Sequence, residues 1–345
     1  MPNIKRLLPH DLHNSASWDE FVVACPSASF FHRSGWQKVL RDVFRHDTHF
    51  LYAEADGRIE GVLPLAHVKS VLFGHSLVSL PFAVYGGVAA STSRAAEALE
   101  REAQQLAQRL GVAHLELRHV QARHPDWPSQ DLYVTFRKTI VADEEANLLA
   151  VPRKQRAMVR KGIKNGLRSE IDSGIERFFP LYADNMHRHG TPALPQRYFR
   201  ALLQQFGRDA EVMTVTAPDG RTLSSVLSFY FRDEVLPYYA GDDTSARELA
   251  ANDFKYWELM CGSAARGVRL FDYGRSKRGT GSFAFKKNWG FEPEPLHYEY
   301  CLYKRDSVPQ NNPSNAKYKL LIEAWRRMPI GVANWLGPFV VRSLG

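Results

Sequence analysis

Cysteine is scarce in this 345-residue chain. Cys25, Cys261 and Cys301 have no metal-type spacing, and an odd number cannot complete a disulfide framework. A reducing compartment fits best, and no metal is expected: His187 and His189 in "NMHRHG" have no cysteine or paired acid nearby. The compact motifs of nucleotide and hydrolase chemistry are missing too. There is no "GxxxxGK[ST]" phosphate loop and no "GxSxG" nucleophile elbow. The opening "MPNIKRLLPHDLHNSASWDEF" lacks the apolar core and small-residue cleavage site of a signal peptide, so an unexported, cytoplasmic protein is expected. The uncharged run from Ser70 to Ser93 could span a bilayer by length, but Gly74, His75, Pro81, Gly86 and Gly87 interrupt it. It reads better as a buried strand with a turn.

What is present is an ordinary globular composition, 44% apolar and 24% charged, in a chain long enough for two domains. The formal charge of +8 favours anionic partners such as phosphorylated small molecules, nucleic acid or an acidic membrane surface.

The order of patterns repeats. "THFLYAEADGRIEGVLPLAHVKS" is two apolar runs around Asp56-Gly57, the signature of a hairpin. After a further strand, "RAAEALEREAQQLAQRLG" is a helix stopping at Gly111, and "VAHLELRHV" alternates as a strand. The second half gives a hairpin around Asp219-Gly220, the strand "EVLPYYAG", a helix "NDFKYWELMCGSAARG" ending at Gly267, and the strand "VRLFDYG". The expectation is an α+β chain of two duplicated domains, each a mixed, mostly antiparallel sheet flanked by helices. Residues 1–150 form the first, 151–170 a basic connecting helix, 171–305 the second, and 306–345 a basic, aromatic extension.

Within the connector, residues 153–168 hold seven basic residues and no acid. Val159, Ile163 and Leu167 recur every four residues beside a stripe containing Arg156 and Arg160. The helix could bind a phosphate-rich partner or be a solvated face. The extension begins polar, "DSVPQNNPSN", and continues "KYKLLIEAWRRMPIGVANWLGPFVVRSLG", with Pro329 and Pro338 breaking any long helix. It could lie peripherally on the inner membrane surface or fold back on the second domain.

From Tyr239 to Tyr300 the ordered pieces "YYAG", "FKYWELMCGSAARG", "FDYG" and "FKKNWGF" resemble the second domain of the Fem family of non-ribosomal peptidyl transferases, the FemABX group. Phe285-Lys286 falls on the family's "FKxxFG" element. The basic connector is similar to the Arg/Lys-rich helix at the Fem domain junction, and "FFHRSGW" at 30–36 to its opening "F(L/M)QSxxW" motif. Members add amino acids from aminoacyl-tRNA to peptidoglycan precursors and have two acetyltransferase-like (GNAT) domains. "SLPFAVYGG" and "FDYGRSKRGTGSFAFKKNWGFEP" resemble, more narrowly, the FemAB-related proteins found with exosortase and PEP-CTERM exopolysaccharide systems. One departure matters. Peptidoglycan-acting members carry a lysine four residues after the motif tryptophan, where this chain follows Trp36 with Leu40, which disfavours a nucleotide-linked muropeptide acceptor.

The resemblance implies an N-acyltransferase acting on an amine of a cell-envelope or exopolysaccharide precursor, a glycan or a peptide. The donor would be an aminoacyl-tRNA, an acyl carrier protein or acyl-CoA, with no resident cofactor. Acyl-CoA is disfavoured, because "YGGVAASTSRAAEAL" and the acidic "YYAGDDTSARELAAND" lack the Arg/Gln-x-x-Gly-x-Gly/Ala loop that cradles a pyrophosphate. A catalytically inactive RNA- or membrane-binding protein is the non-enzymatic alternative. In the enzyme reading Lys286, beside Phe285, supplies a cation to the oxyanion or to a donor phosphate, or is a surface lysine. Asp272 orients a basic neighbour, serves as a general base, or caps a turn. Arg275 and Lys277 suit an anionic group or are solvated charges. Tyr239 would point into the cleft with Tyr238 turned away, and Tyr85 and Trp36 are the first domain's candidates, with core packing the alternative.

Overall fold

The structure, a computed structural model, describes residues 2–70, 74–309 and 316–343. The first half runs β1 (Asn3–Arg6), α1 (Leu12–Ala24), α2 (Gly35–Phe44), β2 (Asp47–Ala55), β3 (Arg58–Ser70), β4 (Gly74–Ser79), β5 (Ala89–Ala90), α3 (Ser93–Leu110), β6 (His114–His119) and β7 (Ser129–Gln130). Then come β8 (Tyr133–Thr139), α4 (Glu144–Ala150), α5 (Arg153–Lys164), β9 (Arg168–Asp172), α6 (Phe178–Arg188), α7 (Gln196–Phe206), β10 (Ala210–Thr216), β11 (Thr222–Phe231) and β12 (Glu234–Asp242). The chain continues with α8 (Ala246–Leu249), α9 (Ala251–Ala265), β13 (Leu270–Asp272), β14 (Ser276–Lys277), α10 (Gly281–Asn288), β15 (Pro293–Pro295), β16 (His297–Leu302), α11 (Ala316–Arg327) and α12 (Ile330–Val341).

Turn chemistry sets both hairpins. Asp56 and Gly57 take φ of 50° and 72°, the left-handed pair of a tight two-residue hairpin between β2 and β3. Gly220, at φ 86°, closes the longer loop between β10 and β11. Helix α3 ends as its sequence dictates, on Gly111 in the left-handed conformation.

The chain forms two compact units, and they do not divide where the sequence order suggests. One holds residues 1–132 and 295–310 with the last few residues, the other 133–294 and 311–339. The first has an eight-stranded sheet in the order β1-β2-β3-β4-β6-β16-β7, with β5 on β3. The second has the order β14-β8-β13-β12-β11-β10-β9, with β15 on β8. Strand β16, from the end of the second half, therefore lies antiparallel to β6, while β8, from the end of the first, lies antiparallel to β13. β4 with β6 and β12 with β13 are parallel pairs.

The expected connecting helix is built into the second unit. α5 packs on α9, where Gly162 lies so close that a Cβ would meet the Phe254 Cβ at 2.8 Å, and β9 then joins the sheet beside β10. In the first unit, α3 covers one sheet face through Leu99, Ala103 and Ala107 against Leu51, Leu63, Leu77 and Leu115. α2 turns Trp36, Leu40 and Phe44 inward, as its amphipathic spacing requires.

The extension's polar opening lies partly outside the described residues. Beyond it, α11 and α12 fold back on α6: His187 Nε2 meets the Met328 carbonyl at 2.8 Å, and Gly190 sits under Ile322. His187 lies in the last turn of α6. Among the described residues no helix is long and apolar enough to cross a membrane.

Candidate functional site

The two units treat their parallel strand pair differently. In the first, loop 80–88 bonds across the end of β6. Gly87 donates its N–H to the Arg118 carbonyl (2.9 Å), and Arg118 donates its own N–H to Ser79 Oγ (2.8 Å) and its guanidinium to the Ala83 carbonyl (2.7 Å). His32 Nε2 and the Tyr298 hydroxyl hold the carbonyls of Gly87 and Val84 at 2.7 and 2.8 Å. That edge is closed. Trp36 and Tyr85 share the burial. Trp36 is 0% exposed, packs on Phe30 and Phe31, and gives its indole N–H to the Phe30 carbonyl, while Tyr85 is 4% exposed against Phe31. As placed, both are core residues, because the loop that carries Tyr85 and the helix that carries Trp36 each turn their apolar side inward.

In the second unit β12 pairs with β13 only through Glu234–Leu270 and Val235–Phe271. Beyond Val235 that edge of β12 pairs with no further strand among the described residues. A bulge follows: Leu227 faces Tyr239 and Ser228 faces Pro237, so Tyr238 is the extra residue. The bulge cancels strand alternation. Tyr238 does not turn away from Tyr239; their rings meet edge to face at 4.8 Å, Tyr238 also reaching Phe229 and Tyr239 lying among Tyr182, Tyr198 and Phe199. The Tyr239 hydroxyl shares a 2.9 Å hydrogen bond with that of Tyr198, and burial holds both phenols well above their ordinary range.

Across from that edge, β13 and β14 run along β8 as one antiparallel ladder broken by a turn, residues 273–275. Asp272 organises the turn. Its carboxylate is 0% exposed and accepts from the Gly274 N–H (2.7 Å) and the Thr135 hydroxyl (3.1 Å), with Arg137 Nε 3.4 Å away. This is the turn-capping role among those open to it.

Lys286 grips the other side of the turn. It stands on α10, whose first turn is capped by Thr280 Oγ1 accepting from the Phe283 N–H at 3.4 Å. Its ammonium donates to the carbonyls of Tyr273 (2.7 Å), Gly274 (3.0 Å) and Arg275 (3.2 Å). A lysine has three N–H donors, so all are engaged in this arrangement. Burial pushes its pKa down to about 7; Arg275 adds to the fall and Asp272 opposes it.

Phe285 packs partly buried against Tyr256 and Trp289. Arg275 is exposed with its guanidinium over the Tyr133 ring at 4.5 Å, and Lys277 is half-buried on β14. Polar groups here lack partners: the buried hydroxyls of Tyr273 and Ser276 have no hydrogen bond among the described residues. The Nε of half-buried Arg156 on α5 is in the same position, whereas Arg160 is exposed. The structure thus brings Lys286, Phe285, Asp272, Arg275 and Lys277 together. Tyr239 lies on the α6 and α7 face.

Sequence reasoning missed Thr135 and Arg137, because β8 precedes the connector and reads as part of the first half. It also missed Lys255. This α9 lysine is fully buried, 2.8 Å from Asp242, whose carboxylate also takes the Ser224 hydroxyl. A lysine amid "DFKYWELM" carried the signal. Nearby, Asp253 accepts the Trp289 indole N–H at 2.9 Å, and burial raises its pKa.

Loop 243–249, ahead of α9, is occupied by its own acid: Asp243 Oδ1 takes the N–H and hydroxyl of Ser245, and the Ala246 N–H bonds to the Asp243 carbonyl. Among the described residues no group of histidine, cysteine and acid could hold a metal.

A mixed, mostly antiparallel sheet with a short parallel pair, flanked by helices and present twice, defines the GNAT fold in tandem. Residues 153–287, within the second unit, match the acetyltransferase (GNAT) domain family. The chain is similar to the crystal structure of FemX, at 15% identity and a TM-score of 0.66, covering 88% of this chain and 98% of that one. It is similar also to the C-terminal domain (DUF2156) of a proposed lysylphosphatidylglycerol synthetase from Agrobacterium fabrum, at 12% identity and a TM-score of 0.57, covering 91% and 96%. A tandem GNAT protein from the clavulanic acid biosynthesis pathway aligns at 13% identity and a TM-score of 0.55, covering 89% and 100%. No curated protein sequence matches the chain. The fold is shared with acetyltransferase domains.

Proposed function

We propose that this chain is a cytoplasmic N-acyltransferase that moves an acyl or aminoacyl group onto an amine of a cell-envelope or exopolysaccharide precursor. The acceptor nitrogen attacks the donor carbonyl carbon, the carbonyl's bond to the donor oxygen or sulfur breaks, and the amine proton passes to a base while the alcohol or thiol leaves. The observation that carries the reading is the parting of β12 from β13 after Val235, beside a turn fixed by Asp272 and Lys286, in the unit that matches an acetyltransferase family.

In this reading Asp272 and Lys286 are positioning residues, since their polar atoms hold the turn, and Phe285 walls the cleft. Arg275 and Lys277 take the anionic group of donor or acceptor, with Arg156 and Arg160 offering a second phosphate contact on α5. Backbone N–H groups of β12 past its pairing with β13 are suited to receive the developing oxyanion.

An aminoacyl-tRNA or acyl carrier protein is preferred over acyl-CoA. A pyrophosphate would meet the Asp243 carboxylate where it needs free N–H donors.

The test offers aminoacyl-tRNA, acyl carrier protein and acyl-CoA to the purified chain with amino-sugar and peptide amines. Transfer from one donor, reduced at least about tenfold by Lys286→Met in protein that still folds, is expected. Absence of transfer from every donor, together with RNA binding that falls steeply with salt, would hand the chain to the inactive RNA-binding alternative.

A further inference from the structure

Helix α12 is amphipathic in the reverse sense. Its small residues Ala333 and Gly337 face inward, and Gly337 lies so close to the 189–195 segment that a Cβ would meet the Ala193 carbonyl oxygen at 2.9 Å. Val332, Trp335 and Phe339 face out: at i, i+3 and i+7 they form one stripe, with Trp335 68% and Phe339 67% exposed. The two rings stand 6.0 Å apart. Helix α11 adds exposed Leu320 and Leu321. A water-facing helix normally turns such residues to the core, so this face is built to meet something apolar.

We propose that α12 and the exposed leucines of α11 dock on an anionic lipid surface, lying in the interface without spanning it. Charge selects lipid over a second copy of the chain. From residue 316 to 343 there are five basic residues, Lys317, Lys319, Arg326, Arg327 and Arg342, against one acid, Glu323. A twofold contact through these two helices would set like charge against like, whereas anionic headgroups neutralise it. Length agrees. The 12 residues of α12 rise about 18 Å, well short of the ~30 Å of a hydrocarbon core. Trp335 and Phe339 suit the headgroup boundary, where an aromatic ring buries its face beside a wet, charged layer. The helices reach this position through the contacts of Ile322 and Met328 with α6 and its following loop, so the stripe is presented on a fixed base. The docking stands independently of the transfer chemistry.

The experiment is co-sedimentation of the full chain with vesicles of phosphatidylcholine alone and with phosphatidylglycerol added, without donor or acceptor. Binding to the anionic vesicles is expected to exceed binding to neutral ones at least about tenfold and to weaken with salt. Trp335→Ser with Phe339→Ser should lower it at least about tenfold with an unchanged melting curve. Arg327→Gln with Arg342→Gln should keep the stripe but flatten the salt dependence. The proposal fails if the unaltered chain ignores anionic vesicles, or if the serine variant binds as well. It fails equally if the chain is a dimer that the serine variant splits into monomers, since the face would then belong to a second copy.

Discussion

Replacing Lys286 by methionine removes the ammonium from three converging carbonyls, those of Tyr273, Gly274 and Arg275. Leaving a buried acceptor without its donor costs about 1–3 kcal/mol. Lys286 is half-buried, so water can replace part of the loss, and a destabilisation of about 1.5 kcal/mol is expected. For a domain of this size that lowers the melting temperature by roughly 3–6 °C. Hydrogen exchange gives a local readout: the amides of 274–276 should lose protection while those of α3 do not change. Proton linkage gives a second. With a folded pKa of about 7 against a reference of 10.5, the folded chain binds fewer protons than the unfolded one between those values. This residue therefore makes stability rise with pH across that window, and Lys286→Met should remove that part of the slope. Equal melting temperatures and unchanged exchange at 274–276 would refute the idea that the ammonium holds the turn.

Other expectations test the rest of the molecule. Gly87→Ala would drive a Cβ to 2.1 Å from the His119 ring and should cost about 1–3 kcal/mol or more in chemical denaturation. Asp242→Ala strips the partner from fully buried Lys255 and should cost about 3–5 kcal/mol, while a loss under about 1 kcal/mol would count against the pair. Burial, with Arg342 adding to it, lowers His46 to about 4, and burial beside Arg6 does the same to His49. Their unfolded forms protonate first, so stability should fall as pH drops from 6.5 through 4, and His46→Gln with His49→Gln should flatten thermal melts over that range.

Local order was legible in the sequence and long-range pairing was not. The Asp-Gly turns, α3 with its terminal Gly111, and α9 ending before Gly267 follow from turn chemistry and helix spacing over a few residues. "YVTFRKT" of β8 and "HYEYCL" of β16 alternate as any strand does, and nothing in such a run says which sheet receives it. The duplication was therefore visible and the exchange of strands was not. At the site, the grouping of Asp272 with Lys286 came from family position. The three carbonyls that occupy the ammonium depend on a turn between two short strands, which no spacing rule encodes. Tyr238 illustrates the same limit: alternation fails at a bulge, and the bulge is a property of the pairing with β11.

The placement of β16 has a consequence for how the chain is made. It lies between β6 and β7 in the first sheet, and its Glu299 completes the partners of His119 from 180 residues further along the chain. A nascent polypeptide elongating at about 5–20 residues per second exposes β6 roughly ten to forty seconds before β16 leaves the ribosome. Through that interval the N-terminal sheet carries an open slot, which a chaperone could guard and a foreign strand could fill.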